Sequence, residues 1–139
     1  MERSVYSSLK KWKDSPTRKP LILQGARQVG KTYILKEFGA REYSEVVYIN
    51  CDDNNDMQNM FVDYDVDRII RSLSAISGIS IKPSTTLLIL DEIQEVERGL
   101  ASLKYFCEKA PEYHVAVAGS LLGITLHEGT SFPVGKVDM

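Results

Sequence analysis

Residues 21–32 read LILQGARQVGKT, and the last eight of them match the pattern G-x-x-x-x-G-K-[ST] in full. Glycines at both ends of this loop let the backbone curl tightly, so that its N–H groups converge on phosphate oxygens. The apolar run at 21–23 is too short for a helix and predicts a buried strand before the loop. Residues 31–38 fit a helix after the loop, ended by Gly39 in the C′ position, and the start of such a helix favours an anion. A strand, a loop and a helix in this order predict a phosphate-binding P-loop.

The loop also predicts how a nucleotide would be held. Lys31 would supply a point charge to the β- and γ-phosphates, and the Thr32 hydroxyl would supply one ligand to Mg²⁺. Arg27 lies inside the loop, where bracing the loop is favoured over direct contact with a phosphate. GTP is disfavoured because the chain has no Asn-Lys-x-Asp segment for guanine. Together with the family resemblance described below, this absence makes ATP with Mg²⁺ the expected ligand pair. The predicted nucleotide-binding residues are Gly25, Ala26, Arg27, Gln28, Val29, Gly30, Lys31, Thr32 and Tyr33.

A second motif lies at residues 87–92, which read LLILDE, an apolar strand that ends in two acids. At the carboxyl end of a parallel strand both acids face the crevice where ligands bind in open α/β sheets. Asp91 would hold Mg²⁺ through a water molecule, together with Thr32. Glu92 would orient or deprotonate the attacking water. Such a pair predicts hydrolysis as well as binding, because a magnesium site alone needs only the aspartate.

A third motif lies at residues 115–120, which read VAVAGS. Ser120, at the tip of a strand beside the P-loop strand, could hydrogen-bond the γ-phosphate or the attacking water. The alternative is an ordinary helix cap, since serine is a common N-cap residue. The predicted catalytic residues are therefore Glu92, Lys31 and Ser120.

Strands and helices alternate along the rest of the chain. Apolar strands without polar alternation predict a parallel sheet that is covered on both faces, and hence a three-layer α/β/α fold of the P-loop NTPase class. From Gly119 onward the pattern weakens, and we expect no fifth strand before Met139. The remaining predicted elements are strands at 46–49, 87–90 and 115–118, and helices at 5–12, at 66–76 (ended by Gly78) and at 100–107.

Composition limits the classes of function. The chain has 139 residues, which suits one domain, and its net charge of −2 argues against a protein that coats nucleic acid. No run approaches the roughly 20 apolar residues that cross a bilayer, so we expect a cytoplasmic protein without membrane contact. Cys51 and Cys107 lack metal-ligand spacing and are expected to be reduced thiols. The basic start, residues 3–19, could contact a phosphate backbone, but a solvated helix face is favoured. A protein partner and self-association are left open.

These motifs resemble those of a known family. Residues 21–32, the LDEIQ segment at 90–94 and the AGSLLG segment at 118–123 look like the AAA-like ATPase domain of a prokaryotic P-loop ATPase family. In full-length members that domain precedes a C-terminal domain of uncharacterised function. The resemblance implies a sheet order of 5-1-4-3-2, with Asp91 and Glu92 at the end of strand 3 and Ser120 at the end of strand 4.

One departure from the family pattern matters for the rate. AAA-type ATPases usually complete the site with an arginine finger, and this chain has no arginine after Arg98. Because such fingers contribute roughly 10³ to 10⁵ in rate, hydrolysis by residues 1–139 alone should be slow. We expect residues 1–139 to be an AAA-like core that is the truncated N-terminal part of a longer protein. The leading hypothesis is an ATPase, and the alternative is an ATP-binding regulatory module with little turnover. A small-molecule kinase is disfavoured because the arginine-free tail argues against a basic lid over the transferred phosphate.

Overall fold

The computed structural model describes residues 3–16, 18–22, 28–51, 60–61, 63, 65–93, 96 and 99–118, with the backbone alone at 3–5, 28–31 and 100. Within these residues strands and helices alternate as predicted. In chain order the elements are α1 (Arg3–Asp14), β1 (Leu21–Ile22), α2 (Gln28–Glu42), β2 (Glu45–Asn50), α3 (Val66–Ser77), β3 (Thr86–Asp91), α4 (Gly99–Lys109) and β4 (His114–Ala118).

The four described strands form one parallel sheet in the order β1-β4-β3-β2. In the register of the sheet, Asp91 pairs with Asn50 of β2 on one side and with Ala118 of β4 on the other. The predicted α/β class is confirmed, and so is the 1-4-3-2 part of the expected strand order. The expectation about a fifth strand falls on residues 119–139, which lie outside the described residues.

Helices cover both faces of the sheet, which confirms the three-layer arrangement. Every residue of β3 is buried, as its continuous apolar sequence predicts. Leu87 and Ile89 pack on the side of α1 and α2, whereas Leu88 and Leu90 pack on the side of α3 and α4. This alternation follows from the two-residue period of a strand, and it places Asp91 on the same side as Leu87 and Ile89.

Helix α2 differs from its prediction at both ends. It begins at Gln28 rather than Lys31, and it continues past Gly39 to Glu42. Gly39 is therefore not a C-terminal cap, and its role is packing instead. A Cβ atom at Gly39 would lie 2.6 Å from Val46 Cγ2, so the missing side chain lets the helix approach β2 closely. Beyond it the helix continues through Ala40, Arg41 and Glu42, all of which favour helical backbone more than glycine does.

Helix α3 ends as predicted. Asp65 caps its start by accepting a hydrogen bond from the Arg68 amide at 3.2 Å. Gly78 adopts a left-handed φ of 74° at the other end and donates its N–H to the Ser74 carbonyl at 2.9 Å. Across the described ranges, no helix combines the length and the apolar character needed to span a bilayer.

Candidate functional site

The site lies at the carboxyl edge of the sheet, where three strands end side by side. The register aligns Asn50, Asp91 and Ala118 at the ends of β2, β3 and β4. Strand β3 between them is buried along its whole length, so the polar end of β3 is held in a fixed position. This edge is where open parallel sheets bind their ligands.

Helix α2 brings the threonine of the P-loop motif to that edge. The Oγ1 atom of Thr32 donates a hydrogen bond to Oδ2 of Asp91 at 3.1 Å, across 59 residues of sequence. The P-loop motif and the acidic strand end are thus in direct contact. These are the two residues that the sequence predicts to share a magnesium ion.

Asp91 has a buried carboxylate whose two oxygen atoms differ. The side chain is 2% exposed, and Oδ2 accepts a second hydrogen bond, from the Tyr48 hydroxyl at 2.6 Å. Oδ1 is also buried and has no hydrogen-bond partner within the part of the chain that the structure describes. Burying an unpaired carboxylate oxygen is costly, and such oxygens are the ligands that Mg²⁺ prefers. The hydroxyl of Thr32 and the carboxylate of Asp91 therefore fit a magnesium site.

Glu92 follows directly and has an unusual backbone. Its φ is 57°, in the left-handed region that non-glycine residues seldom adopt, and its exposure is 9%. Its amide donates to the Ala118 carbonyl at 2.7 Å, so the ends of β3 and β4 together fix its position. Backbone strain of this kind concentrates at functional sites, where the surrounding structure maintains it.

Cys51 supports the other side of the same strand end. Its amide donates to the Asp91 carbonyl at 2.9 Å. Burial raises the pKa of its thiol to about 12, and the negative charges of Asp91 and Glu92 contribute in the same direction. The thiol is therefore neutral at physiological pH and unsuited to nucleophilic chemistry. Cys51 and Cys107 are both free, as predicted.

The structure places the predicted site residues unequally. Thr32, Asp91 and Glu92 lie together at the carboxyl edge, whereas the Tyr33 side chain is 62% exposed on α2. Gln28, Val29, Gly30 and Lys31 form the start of α2, where the structure describes their backbone alone. The predictions for Gly25, Ala26, Arg27 and Ser120 fall outside the described residues.

Sequence reasoning missed Tyr48. Its hydroxyl contacts Asp91, and the ammonium group of Lys36 lies 3.9 Å from the centroid of its ring. The residue looks like an ordinary aromatic residue of a β-strand, so its type gives no signal. The signal lies in the pairing of β2 with β3, which aligns Tyr48 with Ile89, two residues before the aspartate.

Comparisons with known proteins agree with this architecture. A protein-family model described as an AAA domain matches residues 17–139. The structure is similar to that of the Walker-type ATPase PABY2304 of Pyrococcus abyssi, with a TM-score of 0.55 and 17% sequence identity. The match covers 91% of this chain and 46% of that one, so this chain spans less than half the length of the Pyrococcus abyssi protein. At 17% identity the similarity shows the shared fold alone. No curated protein matches the chain in sequence.

Proposed function

The chain belongs to the AAA-domain family, and from this premise we propose that it binds ATP with Mg²⁺ and hydrolyses the bond between the β- and γ-phosphates. The observation that carries the proposal is the hydrogen bond between Thr32 and Asp91. It joins the two motifs whose residues would share the metal, at the edge of the sheet where ligands bind.

Each predicted site residue has a distinct part in this proposal. Lys31 and the backbone amides of residues 25–30 bind the phosphates, and the Ser120 hydroxyl contacts the γ-phosphate or the attacking water. Thr32 directly and Asp91 through a water molecule would hold Mg²⁺, which would neutralise charge on the phosphate oxygens. Glu92 orients a water molecule and accepts its proton as the water oxygen attacks the γ-phosphorus, while the bond to the β-phosphate oxygen breaks and ADP leaves.

Calorimetric titration tests the binding half of the proposal. We expect wild-type protein to bind ATP in the presence of Mg²⁺ and Lys31→Ala to lose at least about tenfold in affinity, since that change removes a charge-assisted phosphate contact. Lys10→Ala is the matched control, because it removes an exposed lysine on α1 and should leave the affinity unchanged. Equal affinities for wild type and Lys31→Ala would show that the P-loop assignment is wrong.

Turnover separates an enzyme from a binding module. Glu92→Gln keeps the size of the side chain but removes the base, so we expect it to bind ATP as wild type does and to release phosphate at least about 100-fold more slowly. If wild type and Glu92→Gln bind ATP equally and release phosphate at the same slow rate, the domain is an ATP-binding regulatory module.

Two wider proposals accompany this function. We propose a cytoplasmic location, where ATP is available, and fractionation of cells would test it. We also propose that residues 1–139 form the AAA-like core of a longer protein. The mass of the protein isolated from its own cells would decide that point.

A further inference from the structure

We propose that Tyr48 is a positioning residue that orients the Asp91 carboxylate for the metal, so that strand β2 sets how strongly nucleotide binding depends on Mg²⁺. The inference rests on the proposed function and adds to it a residue that the sequence motifs do not contain. The observation behind it is that Tyr48 and Thr32 both donate to the same oxygen of Asp91.

Two hydrogen bonds to one oxygen fix a group that otherwise rotates easily. The terminal torsion of an aspartate has broad minima, so packing alone orients a carboxylate poorly. The hydroxyl of Tyr48, on β2, lies 2.6 Å from Oδ2 of Asp91, which is the short distance typical of a hydrogen bond to a charged acceptor. Thr32, on α2, donates to the same oxygen. Because both donors bind Oδ2, Oδ1 is the oxygen that can bind a cation, either directly or through a water molecule bound to the cation.

Only a long side chain at position 48 can make this contact. Tyr48 pairs with Ile89, so Asp91 is its diagonal neighbour two residues further along β3. Diagonal neighbours on adjacent strands lie about 7–8 Å apart, a separation that aromatic side chains can bridge and β-branched ones cannot. The hydroxyl at the tip of the ring therefore reaches the carboxylate, where a valine or threonine would fall short.

Helix α2 holds the tyrosine as well as the aspartate. The Nζ atom of Lys36 lies 3.9 Å from the Tyr48 ring centroid, a distance at which a cation is attracted to the ring face. Lys36 follows Thr32 by four residues, so both lie on the same side of the helix. One face of α2 thus contacts Asp91 directly through Thr32 and indirectly through Lys36 and Tyr48.

The test is Tyr48→Phe, which removes the hydroxyl and keeps the ring. Mn²⁺ replaces Mg²⁺ as the probe. Electron paramagnetic resonance measures free Mn²⁺ at one ATP concentration with and without protein, so that the Mn²⁺ bound by ATP alone is subtracted. We expect the variant to bind Mn²⁺ about 10- to 100-fold more weakly, the usual effect of removing a partner that orients a metal ligand. Its affinity for ATP in EDTA should stay within about twofold of wild type, since the metal is then absent.

Tyr43→Phe is the matched control. It also removes a phenol hydroxyl with a 2.6 Å hydrogen bond, in this case to Nδ1 of His114 at the amino edge of the sheet, away from the site. It should lower the stability of the fold and leave the affinity for Mn²⁺ unchanged. Lys36→Gln is a second test variant, which should weaken Mn²⁺ binding less than Tyr48→Phe does and which keeps the inference testable if Tyr48→Phe does not fold.

The outcomes distinguish this inference from the proposed function. Wild-type protein that binds no ATP with Mn²⁺ overturns the proposed function and the inference with it. Wild-type protein that binds, together with Tyr48→Phe that binds Mn²⁺ equally well, overturns the inference alone. Equal weakening in Tyr48→Phe and Tyr43→Phe also overturns it, because the effect would then come from general loss of stability. If Tyr48→Phe does not fold, unchanged Mn²⁺ binding by Lys36→Gln overturns the inference.

Discussion

Glu92 carries a conformational cost at a position proposed to be catalytic. Its φ of 57° brings Cβ close to the following carbonyl oxygen, which costs an L-residue about 1–2 kcal/mol. The amide of the same residue is held by Ala118, so the backbone cannot relax without losing that hydrogen bond. Turnover would therefore depend on a geometry that reduces the stability of the fold.

A pair of substitutions isolates this strain. Glu92→Gly and Glu92→Ala both remove the carboxylate, but only glycine accepts the left-handed backbone without cost. After subtraction of the entropy that glycine loses on folding, we expect the glycine variant to be more stable than the alanine variant by about 0.5–1 kcal/mol in urea unfolding. Neither variant should release phosphate from ATP.

Ala75 provides the control for that comparison. It is exposed within α3, where Ala75→Gly should lose about 1 kcal/mol because glycine is the poorer helix former. The preference between alanine and glycine should thus have opposite signs at positions 75 and 92. The same sign at both positions would show that Glu92 is not strained.

At the scale of elements, the close approach of α2 to β2 depends on Gly39. Within a helix, glycine-to-alanine substitution normally stabilises by about 1 kcal/mol. At Gly39 the added Cβ would lie 2.6 Å from Val46 Cγ2 and 3.0 Å from Leu87 Cδ2, so the helix must move away from the sheet. We expect Gly39→Ala to destabilise the fold by about 1–3 kcal/mol in urea unfolding.

The double variant with Val46→Ala tests the cause. Removing the two methyl groups of Val46 removes the nearest clashing atoms, so Gly39→Ala should cost clearly less in the Val46→Ala background than in wild type. Equal costs in the two backgrounds would place the defect elsewhere, and a stabilising Gly39→Ala would contradict the packing argument.

Helix ends also show what the sequence could and could not predict. Gly39 and Gly78 both look like helix stops, yet only Gly78 has a positive φ and ends its helix. Local sequence cannot separate the two, because the role of Gly39 is decided by contact with Val46 on another element. The alternating order of elements was predictable, because each strand and helix carries its own hydrophobic period.

The same distinction applies to the site. Thr32 and Asp91 were predicted because each belongs to a motif whose spacing is local, and their contact follows from the common order of such motifs. Tyr48 was missed because its contact with Asp91 spans 43 residues and exists only in the register of β2 against β3. A contact that depends on strand register cannot be predicted from any single segment of the sequence.

At the scale of the whole molecule, the edge of the sheet opposite the site joins three elements through aromatic rings. The ring of His114, at the start of β4, lies 5.8 Å from that of Trp12 on α1 and 5.3 Å from that of Tyr43, which follows α2. Arg18, whose positive charge acts on His114, lies beside this cluster and donates a hydrogen bond to the Pro111 carbonyl at 3.1 Å. Because the cluster links helix α1, the end of α2 and the sheet, its ionisation state should affect global unfolding.

His114 makes that stability depend on pH. Burial lowers its pKa to about 4, and the positive charges of Arg18 and Lys13 act in the same direction. Burial also raises the pKa of Tyr43 well above its usual value, so the phenol keeps its proton and shares a 2.6 Å hydrogen bond with Nδ1 of the neutral imidazole. Between about pH 6.5, where an unfolded histidine titrates, and pH 4, the unfolded chain binds more protons than the folded one. Stability is therefore complete above pH 6.5 and falls as the pH is lowered towards 4.

His114→Gln separates this contribution from that of the carboxylates, which also titrate at acid pH. Glutamine does not ionise, and its amide can donate a hydrogen bond to Tyr43 or accept one from it. We expect the free energy of unfolding of wild type to fall between pH 7 and pH 4.5 by about 2–3 kcal/mol more than that of the variant, as follows from a pKa shift of this size. Urea unfolding at a series of pH values measures both curves. Parallel curves would mean that the imidazole gains its proton over the same pH range in the folded and unfolded states, which contradicts the shift assigned to its burial.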